Sequence, residues 1–261
     1  MRLNLEILGD GPDLVLLHGW GMNNAVWAGF ADMLAKRWRV HMLELPGHGC
    51  SPSLRAGSRD EGGGTHGHAW AAACLAVTPP GAVWVGWSLG ALIGILAAEA
   101  APERVTALFG IAGTPRFVCG DDWPHALRAE VLAGFAKQLE TDSRLTLQQF
   151  LALQVRGGND TRPVLRRLRQ HFAERPDPAP CALGIGLDIL RDADARAAFG
   201  ALRCALHWSL GERDTLVPVA VGEDLHRLNP ACKLSIVPGA AHAPFLSHAA
   251  SLIRWINAFP S

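Results

Sequence analysis

Charge is scarce in this sequence: 18% of its 261 residues are charged and 49% are hydrophobic, against about 25% charged in an average soluble chain. That balance excludes a disordered or fibrous chain, since enough apolar surface is present to offset the entropy of ordering a core. Net charge is lacking as well, because 24 basic residues offset 24 acidic ones. The molecule as a whole thus has no electrostatic footprint for nucleic acid or an anionic membrane, and any such partner must be met by a local patch. The six cysteines (Cys50, Cys74, Cys119, Cys181, Cys204, Cys232) show no CxxC spacing. This argues against a zinc site or a disulfide framework and predicts buried or half-buried thiols in a reducing compartment. No apolar leader opens the chain: Leu3, Leu5 and Ile7 alternate with polar residues at strand period, so export is not expected. Residues 81–98 carry no charge and approach the length of a bilayer span. Glycines and Ser88 punctuate them in a turn pattern, which predicts a buried strand followed by a buried helix instead.

There is no internal repeat, and the length suits one domain with an inserted lid rather than two independent domains. Up to about residue 112, apolar runs at 14–17, 40–43, 82–85 and 105–109 alternate with segments that suit helices near 25–37, 68–77 and 89–100. Strands this apolar on both faces, alternating with helices, predict an α/β fold with a mostly parallel sheet covered on both sides. The same grammar returns after about residue 203, with strands at 205–210 and 234–237, a helix opening at Pro218 and a last helix at 251–259. Between them the strand signal vanishes. Leu127, Val131, Phe135 and Leu139 recur every four residues, and Leu165, Leu168 and Phe172 mark a second helical stripe. We therefore expect a core of residues 1–112 and 185–261 and a helical lid of residues 113–184. Residues 55–67, rich in Gly, Ser and Arg, read as an exposed loop.

The strongest local signal is Gly86-Trp87-Ser88-Leu89-Gly90, placed after an apolar strand and opening a helix. A nucleophile elbow needs small neighbours because its serine sits in a strained strand-to-helix turn. Ser88 needs a histidine to take its proton and an acid to orient that histidine. Asp214 and His242 follow in that order, each in a loop just past a strand, at the edge where ligand sites of open parallel sheets form. Among eleven histidines, His242 is preferred over His248, which falls near the start of the last helix, and Asp214 over Glu212, which lies closer to the strand end. Acyl chemistry also needs oxyanion donors. The backbone N–H groups of Leu89 and of Trp20, in the His18-Gly19-Trp20-Gly21 loop, are placed for this, with His18 structural.

These motifs resemble the α/β-hydrolase superfamily over essentially the whole chain, as do Leu45-Pro46-Gly47-His48-Gly49-Cys50-Ser51 and Ala241-His242-Ala243-Pro244-Phe245. More narrowly, Gly19-Trp20-Gly21-Met22-Asn23, Trp87, Asp122-Trp123-Pro124, Val131-Leu132-Ala133-Gly134-Phe135 and Phe150-Leu151-Ala152-Leu153-Gln154 resemble the BioH-like carboxylesterases of the biotin pathway. Glu44 departs from the superfamily pattern, where Asp is common, and the 55–67 loop is unusually glycine-rich.

The resemblance implies a monomeric, cytoplasmic serine esterase that removes methanol from the methyl ester of pimeloyl-[acyl-carrier protein], with no metal or cofactor and no nucleic-acid or membrane partner. A general short-chain carboxylesterase or C–C bond hydrolase on the same machinery, and a non-catalytic ligand-binding member of the fold, stay open as alternatives. Trp20, Phe135 and Phe150, with Ser88 and Leu89, are candidates for substrate contact. Six arginines lie in residues 156–175 against only Asp160 and Glu174. On a helix starting near Pro163, Arg162, Arg166 and Arg169 share one face, a candidate dock for the acidic carrier protein.

Overall fold

The computed structural model describes residues 2–54 and 66–260. The loop expected at 55–67 lies outside the described residues except for His66 and Gly67, which open a helix.

Seven strands form one sheet in the order β1-β3-β2-β4-β5-β6-β7. They are β1 (Leu5–Leu8), β2 (Asp13–Leu17), β3 (Arg39–Leu43), β4 (Ala82–Trp87), β5 (Val105–Ile111), β6 (Ala205–Gly211) and β7 (Lys233–Val237). All neighbours run parallel except β1, which pairs antiparallel with β3. Side chains alternate across β2: Val15 and Leu17 join one core layer with Trp84, Leu92, Leu108 and Trp208, while Leu14 and Leu16 join the other with Trp27, Val85, Phe109 and Phe245. Every residue of β4 is buried, as an all-apolar central strand covered on both faces requires.

The helices are α1 (Phe30–Leu34), α2 (His66–Leu75), α3 (Leu89–Ala100), α4 (Ala129–Thr141), α5 (Ser143–Leu153), α6 (Thr161–Ala173), α7 (Pro180–Asp192), α8 (Arg196–Ala201), α9 (Val221–Leu228), α10 (Pro244–Ser247) and α11 (Ala249–Asn257). Residues 81–98 are the buried strand β4 and most of buried helix α3, and no described helix is long and apolar enough to cross a membrane.

Several expectations are corrected. The helix expected at 25–37 is a single 3₁₀ turn, Asn24–Trp27, followed by the short α1, because Gly29 at φ +75° breaks the run. The helix expected from Pro218 starts at Val221. In the stripe that runs into α4, Phe135 is buried and Leu127 and Leu139 are partly buried as expected, but Val131 is 37% exposed and its neighbour Leu132 is buried in its place. On α6 the buried residues are Val164, Leu168 and His171, with Leu165 and Phe172 only partly buried. Helix α7 runs through the boundary expected at 184, so the helical segment between β5 and β6 reaches past it. Cys74 and Cys232 are buried and Cys119 and Cys204 half-buried, but Cys50 and Cys181 are exposed, against the expectation for the thiols.

Candidate active site

The strand order brings the site residues to one rim of the sheet. Strands β2 and β4 are neighbours, with Leu17 opposite Gly86. The loops that follow them, His18–Gly21 and the turn at Ser88, therefore adjoin. A Cβ added at Gly19 would stand 3.4 Å from Ser88 Cβ. Ser88 occupies φ 55°, ψ −116°, a backbone region that non-glycine residues avoid. Its amide donates to Ile111 O at 3.0 Å, and its carbonyl accepts from Ala91 and Leu92 in the first turn of α3. The flanking glycines are required by close approach: a Cβ at Gly86 would collide with Gly90 O, and one at Gly90 with Leu17 O. Leu89 begins α3, where first-turn N–H groups lack intrahelical acceptors and the helix dipole favours negative charge.

Asp214 follows β6, and His242 follows β7. Three strand spacings, about 14 Å, separate the ends of β4 and β7, so the His242 loop must travel back across the sheet edge to meet Ser88. It crosses at Gly211, where a Cβ would collide with Ala241 O. It is held there by Trp87, whose indole N–H donates to His242 O at 2.7 Å. The structure thus joins Asp214 and His242 directly: Nδ1 of the imidazole lies 2.7 Å from Asp214 Oδ2. Asp214 Oδ1 accepts from the amides of Leu216 and Val217 at 2.8 and 3.0 Å, which leaves the carboxylate one orientation. The pair is buried, and His242 Nε2 has no hydrogen-bond partner among the described residues, so Ser88 Oγ is not bonded to it here.

The rivals are occupied elsewhere. Glu212 Oε2 accepts from the Gly239 amide at 2.7 Å, and His248 stands just before α11 with its Nδ1 2.8 Å from Ser247 Oγ.

Two buried histidines support the His18–Gly21 loop, His18 within it and His48 against it. His18 Nδ1 faces Gly19 O at 2.8 Å, and its Nε2 accepts from the Leu45 amide at 3.1 Å. His48 Nδ1 faces Pro46 O at 3.0 Å, and its Nε2 accepts from the Gly21 amide at 3.3 Å. Each ring accepts at Nε2, so each must be neutral with its proton on Nδ1. Burial pushes His18 down to about 4; burial and then the neighbouring His18 push His48 down to about 3. Well above pH 6.5 both the folded and the unfolded state leave these rings essentially unprotonated. Below it the unfolded chain takes up protons that the folded chain refuses, so stability falls as pH drops towards 4. The urea midpoint of unfolding is expected to decline over that range, and less steeply in His48→Asn; an identical slope in the variant would contradict this.

Two further polar residues were not singled out from the sequence. Gln154, at the C-terminal end of α5, is 1% exposed, and neither amide atom of its side chain has a partner among the described residues. Buried amides are ordinarily paired, and this one is an exception. Its place beside the site could not be seen in a helical stripe that reads as packing. Glu44, noted only as a departure, is fully buried and accepts from the amides of Asn24 and Cys50 at 3.3 and 2.6 Å and from Asn4 Nδ2 at 2.9 Å.

The expected substrate-contact residues form a row. Trp20 donates its indole N–H to Leu183 O on α7 at 2.9 Å, Phe150 meets Trp20 edge-on at 4.8 Å, and Phe135 meets Phe150 at 5.6 Å. Phe135 also lines an outer groove of about 510 Å³ with Gln149, Leu153 and Arg156. Arg162, Arg166 and Arg169 are exposed on α6, and none has an ion pair among the described residues. Arg169 lines a second groove, of about 520 Å³, with Arg144 and Arg175.

Residues 12–249 match the family model described as alpha/beta hydrolase fold. The chain is 40% identical over 251 residues to the pimeloyl-[acyl-carrier protein] methyl ester esterase of Photobacterium profundum, covering 96% of this chain and 95% of that one. It is also 40% identical over 259 residues to the protein of the same description from Methylococcus capsulatus, covering 99% and 98%. Among solved structures, an esterase from Exiguobacterium antarcticum superposes with TM-score 0.84 at 18% identity, covering 98% and 94%, a likeness of fold alone. By its sequence over nearly its full length, the chain belongs to the α/β-hydrolase family and, within it, to the pimeloyl-[acyl-carrier protein] methyl ester esterases.

Proposed function

We propose that this chain is a cytoplasmic serine esterase that hydrolyses the methyl ester of pimeloyl-[acyl-carrier protein], releasing methanol and the free distal carboxylate. The observation that carries the mechanism is the state of His242: Nδ1 is held by Asp214 while Nε2 is buried and unpartnered. With the Nδ1 proton directed at the carboxylate, the lone pair of Nε2 is the basic atom available to the site.

In this mechanism Nε2 takes the Ser88 proton as Oγ attacks the ester carbonyl; hydrogen bonds of this kind commonly tighten only when substrate is bound. Asp214 stabilises the imidazolium, and the amides of Trp20 and Leu89 hold the oxyanion. His242 returns the proton to methanol, then activates the water that cleaves the acyl-enzyme. The row Trp20, Phe150, Phe135 is an apolar surface against which the acyl chain would lie, its outer member Phe135 lining the outer groove, and helices α4 to α7 act as the lid. No metal or cofactor takes part.

The test is turnover of pimeloyl-carrier methyl ester against a p-nitrophenyl butyrate control, with complementation of an esterase-deficient strain grown without biotin. Growth and a higher kcat/KM on the carrier ester are expected. Turnover confined to the p-nitrophenyl ester, with no growth, would favour a general carboxylesterase instead.

The carrier protein is acidic, and we assign its dock to the exposed α6 face. The triple variant Arg162→Ala, Arg166→Ala, Arg169→Ala is expected to raise KM for the carrier ester about tenfold, with kcat on p-nitrophenyl butyrate unchanged. The wild-type preference for the carrier ester should also weaken as salt rises. A KM unaltered in the triple variant would move the dock elsewhere.

A further inference from the structure

The α5–α6 turn of the lid does more than connect two helices. It is bonded to both loops that carry the acid and the base. Towards the base loop, Gln154 O accepts from the His242 amide at 3.0 Å, and the Asn159 amide donates to Gly239 O at 3.0 Å. Gly158 is seated against the same loop, since a Cβ there would lie 3.1 Å from Ala241 Cβ. Towards the acid loop, Arg213, the residue before Asp214, donates from Nη1 to Asn159 Oδ1 at 2.7 Å. Gly157, at φ +87°, passes so close that a Cβ would stand 2.9 Å from Arg213 O.

Asn159 is the one residue of the turn whose side chain reaches both loops. Its Oδ1 holds the Arg213 guanidinium, and its Nδ2 lies over Gly239, where a Cβ would collide with it. The two loops are also joined by the Arg213 amide to Ala240 O at 2.9 Å, by the Gly239 amide to Glu212 Oε2 at 2.7 Å and by the Asp214–His242 contact itself. The turn is tightened by Thr161, whose hydroxyl donates to Val155 O at 3.1 Å or to Gly158 O at 2.8 Å, at the first residue of α6.

Taking Asp214 and His242 as the acid and base, we propose that Asn159 is a positioning residue, through which the lid turn holds those two loops in register. The helix bearing the exposed arginines starts two residues after Asn159, so that face is continuous in chain with this turn. The physical requirement is modest: the proton-transfer step loses rate steeply when reacting groups are displaced by a fraction of an ångström to one ångström.

The test measures kcat and KM on p-nitrophenyl butyrate, which needs no carrier dock, with active serine counted by fluorophosphonate titration. Asn159→Ala is expected to lower kcat per active serine about fivefold with KM within twofold of wild type. Asn159→Asp, which keeps an acceptor for Arg213, restores most of it. Arg213→Ala should give a similar loss, and the double variant Asn159→Ala, Arg213→Ala no further loss, because one bond is removed in each. Gly157→Ala, which forces the turn off the acid loop, is expected to cost about tenfold or more. His242→Ala is run in parallel: if it stays active, the base assignment itself fails. If it is inactive while Asn159→Ala and Gly157→Ala keep wild-type kcat, or lose it only in proportion to titratable serine, the turn positions nothing and the proposal is overturned.

Discussion

Replacing Ser88 by alanine is expected to lower kcat on pimeloyl-carrier methyl ester by about 10⁴- to 10⁶-fold while leaving KM within a few-fold. The residual rate comes from the oxyanion amides and from substrate binding, which the substitution leaves in place. The backbone at Ser88 carries φ 55° whatever the side chain, so Ser88→Ala retains the strain of the turn and is expected to fold. Circular dichroism checks the fold, and labelling by a fluorophosphonate should vanish. Turnover above a hundredth of wild type would remove Ser88 from the nucleophile's role and with it the elbow as the catalytic centre.

Asp214→Asn is expected to cost about 10³- to 10⁴-fold in kcat. The carboxylate has two distinct tasks here. Oδ1 is spent on the amides of Leu216 and Val217, which an amide oxygen can still accept, so the loop should keep its shape. Oδ2 faces Nδ1 of His242, where the asparagine NH₂ now donates. A donor there selects the tautomer with its proton on Nε2, the wrong one for accepting from Ser88. The loss should thus appear in kcat with an unaltered thermal midpoint. A fall of less than tenfold would mean that another group orients the imidazole, and Glu212, the rival in the same loop, would be the first to replace.

Those two residues were legible in the sequence because their demands are local. The Gly-Trp-Ser-Leu-Gly pattern reports collisions that any side chain at Gly86 or Gly90 would suffer, and such collisions do not depend on the rest of the chain. Asp214 and His242 were legible as polar residues just past apolar strands. The sheet was legible for a similar reason: β4 and its neighbours are apolar on both faces, and few environments suit that pattern.

Helix registers in the lid were harder. On α4 the four-residue spacing marked Val131, yet Leu132 is the buried neighbour, because which flank of a broad stripe faces inward is decided by the helices it meets. The break at Gly29 was hidden because a glycine inside a helical run is often tolerated. Gln154, Glu44 and Asn159 were missed as site-supporting residues for one shared reason. Gln154 and Asn159 bond the His242 loop, and Glu44 bonds Asn4 and Asn24 as well as the nearby Cys50, and spacing carries no trace of the distant encounters.

Trp87 has a consequence of its own. It is the last residue of β4, immediately before the serine, yet its indole grips the carbonyl of the histidine on a loop that follows the sheet's far edge. Ser88 and the His242 loop are consequently tied to one aromatic bracket, wedged by Trp27 and Phe245, rather than carried on two independent segments. The proton path proposed between Ser88 and His242 is therefore anchored at two places, to the sheet through the Trp87 indole and to the lid through the Gln154 carbonyl.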